Sequence, residues 1–191
     1  MTAADRYRRA AQQAAQSGLA SGSTLQLKVV GKSMAPLLNP GDALVVSPPV
    51  GRQPRSGELV VVESEGEFIT HRVLPGGRIK GDNLLYIDRE VPSDRIVGHV
   101  IAVSKPGRQL DLQQGLWPLA GRLMAGLSRV EWAVVRKGSR SQRDRSAETE
   151  HAQRPGWRYW LGRRLSAATF TLRRVIVWGV LALDTGKSEP E

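Results

Sequence analysis

Glu58-Leu-Val-Val-Val-Glu63 and Glu67-Phe-Ile-Thr-His71, parted by a short stretch containing Gly66, decide the class of fold. Both runs are crowded with β-branched and aromatic residues, and both are too short for an ordinary helix. Outward from them, similar runs recur at Leu25-Gln-Leu-Lys-Val-Val30, Ala43-Leu-Val-Val46, Arg78-Ile-Lys80 and Ile96 to Val103. Gly, Pro, Asn and Asp turns separate these segments. Short strands at that density, with no helical pattern between them, predict a mainly β protein with a coiled antiparallel domain over residues 24–104.

The flanks read differently. Asp5 to Gln16 is rich in Ala, Gln and Arg and predicts a short helix within an N-terminal segment of residues 1–23. After Lys105-Pro-Gly the period changes again. Leu116, Leu119, Leu123, Leu127, Val130 and Val134 recur at spacings of three and four, which predicts an amphipathic helix within 105–137 with that stripe facing the core. Residues 138–156 are charged and without apolar periodicity, and read as a linker. A basic amphipathic helix and tail follow over 157–191. Its predicted inward stripe is Trp157, Leu161, Leu165, Ala168, Leu172 and Ile176, with Arg158, Arg163, Arg164, Arg173 and Arg174 mostly off it.

Composition narrows the chemistry. The chain has 191 residues and no Cys, so disulfides, thiolate zinc sites, iron–sulfur ligation and a thiol nucleophile are excluded. The net charge is +10, and it is uneven: +2 over residues 1–104 and +8 over 105–191. The first residues are polar and Arg-rich, and the longest strictly apolar candidate, Val175 to Leu183, is too short to span a bilayer. The expectation is a chain with no signal peptide and no transmembrane helix, cytoplasmic or peripherally membrane-associated. For the basic C-terminal helix, packing on the rest of the protein ranks first. An anionic membrane surface ranks second, favoured by Trp157, Trp160, Trp178 and the Arg clusters, and nucleic acid ranks last.

Three segments of the β-domain carry residues suited to catalysis: Gly31-Lys-Ser-Met-Ala-Pro36, Thr70-His-Arg-Val73, and Lys80-Gly-Asp-Asn83 leading to Ile87-Asp-Arg89. A hydroxyl such as Ser33 is a poor nucleophile without a base, and an imidazole such as His71 has the right affinity for a proton near neutrality. That imidazole needs a carboxylate to hold its tautomer, and Asp82 and Asp88 are both candidates. A plainer account exists for each residue. Ser beside Pro commonly bonds local backbone in a turn, His in a strand is commonly structural, and Asp82 beside Gly81 and Asn83 could cap a turn. Lys80 is an alternative base, but it is expected to be solvated and therefore charged. Asp42 and Arg72 read as residues that tie loops to strand ends, and neither His99 nor His151 is given a role.

Taken in order, G-x-S-M-x-P, H-R-V and G-D-N-x4-D-R resemble the signal peptidase I and LexA-like serine peptidase superfamily, over roughly Val29 to Val103. His71 stands where most members carry a Lys, which resembles the branch of archaeal and endoplasmic-reticulum signal peptidases. The resemblance implies a serine endopeptidase without metal or cofactor. Ser33 is its nucleophile and contributes a backbone N–H to the oxyanion hole, His71 is its base, Asp88 orients the imidazole, and Asp82 is a supporting acid. Gly31 stands where typical signal peptidases have a Ser, as in soluble LexA-like members. The implied substrate is a peptide or protein precursor with small side chains at the scissile bond, as in signal peptide or precursor processing. Two other functions fit the same residues: a self-cleaving LexA-like protein, and a non-catalytic module that binds a peptide or docks on a membrane.

Overall fold

The computed structural model describes residues 3–49, 51–64, 66–84, 95–143 and 157–184. Helix α1 (Ala3–Ala20) leads into strands β1 (Leu25–Lys28), β2 (Ala43–Ser47), β3 (Leu59–Ser64), β4 (Glu67–Val73), β5 (Ile79–Lys80), β6 (Ile96–Lys105) and β7 (Arg108–Asp111). Helices α2 (Trp117–Arg143) and α3 (Trp157–Leu183) complete the chain. The strands form one antiparallel sheet in the spatial order β1-β2-β6-β3-β4-β5, with β7 also on β6. β6 is long enough to pair β3 near its start and β7 near its end while β2 runs along it. Register breaks at Val45/Val46 and Val61/Val62 are bulges of the kind that bend and coil a sheet.

β3 shows why its sequence lacks alternation. Leu59 and Val61 enter the main core with Leu37, Val100, Trp117 and Met124, while Val60 and Val62 enter a smaller cluster with Val73 and Ile79. Both faces of the strand are therefore dry. The fold is mainly antiparallel β with a C-terminal helical appendage, as the sequence predicts.

Several elements differ from expectation. β7 lies within the stretch assigned to the first long helix, and α2 continues to Arg143, past the predicted boundary at Lys137. The inward face of α2 is also displaced. Leu116, Leu119, Leu123 and Val130 are exposed, Leu127 is half-buried, and Trp117, Ala120, Met124, Ala125, Ser128 and Glu131 are buried instead. Close approach explains this: a Cβ on Gly121 would lie 2.7 Å from the Gly57 carbonyl, and one on Gly57 2.6 Å from the Arg122 nitrogen. Such a contact selects small residues, not leucines.

The inward face of α3 is likewise Thr169, Arg173, Val177 and Val180, with Leu172 and Ala168 exposed and Leu165 and Ile176 half-buried. Arg173, expected in water, is buried because α2 offers it a carboxylate. Side chains of Val134, Trp157 and Leu161 fall outside the described residues. Among the described residues one segment, Arg164–Leu183, is long and apolar enough to cross a membrane by length and composition. Arg173-Arg174 interrupts its apolar run, which is why a strictly apolar stretch in the sequence ends short of that length.

Candidate functional site

The turn after β1 carries Ser33. Met34, Leu37 and Leu38 anchor it, each at most 2% exposed, with a cis peptide before Pro36. Ser33 itself is half-buried. This turn docks on the Gly81–Asn83 turn that follows β5. The Asn83 N–H donates to the Ser33 carbonyl at 2.7 Å, Asn83 Nδ2 donates to the Lys32 carbonyl at 3.2 Å, and the Asp82 N–H meets Met34 Sδ at 3.4 Å. The Met of Ser-Met-x-Pro is thus a peg between the two turns.

Gly81 is the contact point. A Cβ there would lie 2.8 Å from the Ser33 carbonyl oxygen, inside any real contact distance. Arg72 pairs with Lys80 across β4 and β5, so one step along that antiparallel register brings Gly81 level with His71. The Ser33 turn thus meets the sheet just past the end of β5, the strand paired with the one that carries His71. His71 is 3% exposed and opposite Val60 on β3, on the face of the smaller apolar cluster. The Ser33 hydroxyl makes no hydrogen bond among the described residues, so it is neither joined to His71 nor engaged with local backbone. Catalytic hydrogen bonds often close only when substrate binds.

Arg72 alternates to the opposite face of β4 and binds Asp82 in a fork, Nε to Oδ1 at 2.8 Å and Nη2 to Oδ2 at 2.6 Å. Its Nη1 donates to the Gly57 carbonyl at 2.8 Å. Both Asp82 oxygens are thereby engaged on the side away from His71. Asp88 lies outside the described residues, as does His151. Asp42 accepts from the Asn39 N–H at 2.8 Å and from Lys105 Nζ, tying its loop to the end of β6.

Lys80 is not solvated as expected. It is fully buried on the Arg72 face, with Nζ 2.8 Å from Glu131 Oε2. Burial pushes its ammonium below the ordinary lysine value, opposed by the Glu131 carboxylate. Burial alone would raise the Glu131 carboxyl, but Lys80 and Arg173 outweigh it and hold the group below the usual glutamate range. Arg173 Nη2 donates to Glu131 at 2.9 Å and to Ser128 Oγ at 3.0 Å, its Nη1 donates to the Asp82 carbonyl, and Thr169 Oγ1 donates to Glu131 at 3.2 Å. The sequence motifs do not predict this layer of buried charge. Its one signal in the sequence is Glu131, the single acid within both long helices.

A cavity of about 300 Å³ opens on the Arg72 side, between Leu59, Trp117 and Met124 and the polar Arg52, Glu58 and His99. Neither Ser33 nor His71 lines it. His99 Nδ1 lies 3.6 Å from Glu58 Oε2. Among the described residues no group of His and acidic side chains could hold a metal ion.

A coiled antiparallel sheet carries a Ser-bearing turn docked on the Gly-Asp-Asn turn at its edge. A model of the Peptidase S24-like family matches residues 2–101, more than half of the chain, and the chain belongs to that family. No curated protein and no solved structure matches it.

Proposed function

We propose that the protein is a serine endopeptidase in which Ser33 attacks a peptide carbonyl and His71 takes its proton and returns it to the leaving amine. The Ser33 backbone N–H contributes to the oxyanion site, and Asp88 orients the imidazole. One observation carries the reading. A half-buried serine, whose hydroxyl makes no hydrogen bond among the described residues, stands on a turn docked against the Gly81–Asn83 turn, and His71 is buried in the neighbouring strand β4. A purely structural serine at such a turn would bond its own backbone. The substrate class is a peptide or protein precursor, and processing of signal peptides is one use of that chemistry. Mass analysis after incubation with a peptide-based acylating probe tests the assignment. Labelling at residue 33 should be lost in Ser33→Ala and strongly slowed in His71→Ala. Equal labelling in His71→Ala would remove the base, and none in the native protein would refute the peptidase. A self-cleaving LexA-like activity would appear as fragments of the unprobed chain that vanish in Ser33→Ala.

The same protein works at an anionic membrane surface. Leu119, Leu123 and Val130 of α2 and Val175, Trp178 and Leu183 of α3 are all more than half exposed, and residues 105–191 carry a net +8. Water does not favour that many exposed apolar side chains on two helices, and anionic headgroups complement the arginines of the same segment. Sedimentation with phosphatidylglycerol vesicles should carry the protein down at low salt, and Leu123→Glu with Trp178→Glu should release it. Retention in the supernatant, or a stable dimer in place of lipid binding, would refute the membrane assignment.

A further inference from the structure

Arg173 is 1% exposed, whereas its neighbour Arg174 and Arg164 lie in solvent. Taking a guanidinium out of water costs several kcal/mol unless a counter-charge and further hydrogen bonds offset it. Glu131 supplies the counter-charge, yet Arg173 Nε finds no acceptor among the described residues.

What the guanidinium reaches is the Asp82 carbonyl, in the turn on which Ser33 rests. Arg72 fixes the Asp82 side chain from the sheet, and Arg173 fixes its main chain from α3. The next residue, Asn83, donates its N–H to the Ser33 carbonyl. A continuous path of hydrogen bonds and one peptide unit thus runs from Glu131 through Arg173 to the backbone of Ser33. Displacing a reacting group by about 1 Å costs roughly 10²-fold in rate, so rigidity at this turn has catalytic value.

We propose, building on the serine peptidase reading, that Arg173 is a positioning residue for Ser33 and that Glu131 sets Arg173. The two C-terminal helices, outside the matched residues 2–101, are then a working part of the site. Lys80 completes the charge layer without touching the turn's main chain.

The test uses the full chain and two readouts: steady-state hydrolysis of a peptide, and amide exchange at residues 81–84. Arg173→Met should lower kcat by about 10²-fold with KM changed less than about threefold. It should also speed exchange of the Asn83 amide, and do so equally in a Ser33→Ala background where no catalysis occurs. Arg173→Lys keeps the charge but not the fork and should fall between, while the exposed Arg174→Met should match the native protein in both readouts. Native exchange or native kcat in Arg173→Met overturns the proposal. If Arg173→Met fails to fold, Arg173→Lys takes its place in the test, and native exchange and kcat in that variant overturn the proposal. A protein with no peptidase activity but with faster Asn83 exchange in Arg173→Met keeps the coupling and refutes the peptidase reading instead.

Discussion

Gly81 has no room for a methyl group. Its Cβ would lie 2.8 Å from the Ser33 carbonyl and 2.9 Å from Leu84 Cγ, and the first of these is backbone that cannot rotate away. Gly81→Ala must therefore push the two turns apart. We expect a loss of ~1–3 kcal/mol in stability, typical of overpacking, and at least a tenfold loss of peptide hydrolysis. Denaturant unfolding and a kinetic assay on the same sample would measure both, and native values in the two would show that the turns have slack. A second residue-scale effect is titration at the cavity. Burial lowers the His99 pKa from its ordinary 6.5, with Glu58 pulling the other way. Glu58 is itself held below 4.5, because Arg52 and the Arg55 N–H outweigh its burial. In both cases the unfolded chain binds protons more readily than the folded one, so stability must fall with falling pH. The His99 contribution begins as pH drops through 6.5, and those of Glu58 and Glu131 follow below 4.5. The melting temperature should decline from pH 7 to 5, and His99→Gln should flatten that decline. An unchanged slope in the variant would assign the acid sensitivity elsewhere.

At the scale of elements, α2 shows what a pattern can conceal. Leu123 and Met124 are neighbours, and the leucine spacing assigns Leu123 to the core; the fold exposes it at 51% and buries Met124 at 1%. Met124→Ala should cost about 2–5 kcal/mol, whereas Leu123→Ala should stay within about 0.5 kcal/mol. Equilibrium unfolding of the pair would decide, and equal losses would mean that both faces are packed in solution. The helix is apolar on two sides, so periodicity alone cannot choose between them. The sheet makes the choice, through the Gly57–Gly121 approach and the need of Lys80 for Glu131, and both are long-range facts. The strands are legible because β-branched runs between turn residues are a local signal, and all but β7 fall within a few residues of their predicted places. The Ser33, His71 and Asp82 segments are legible as motifs. That Asp82 turns to Arg72 rather than to His71 follows from strand alternation and the position of the edge turn, which spacing does not reveal.

For the whole molecule, the division into a β-domain and an appendage is a division of sequence, not of core. Trp117, Ala120, Met124, Val177 and Val180 lie in the same cluster as Leu59, Val61 and Val100, so the helices supply one wall of the main core. They also supply Glu131 and Arg173 to a layer whose other charges, Arg72, Lys80 and Asp82, sit on the sheet and its edge turn. A chain ending after Leu112 retains every strand but leaves Lys80 without its carboxylate and the Leu59 face open to water. Breaking one buried ion pair typically costs about 3–5 kcal/mol, and whole domains are stable by only about 5–15 kcal/mol. With the helix wall gone as well, the loss exceeds what the sheet can withstand. The truncated chain should show no cooperative thermal transition and should bind a hydrophobic dye, and adding back a peptide of residues 113–191 should restore at most part of the fold. A sharp transition near the native melting temperature would mean instead that the sheet closes its own core, and the buried charges would then have to find water without unfolding it.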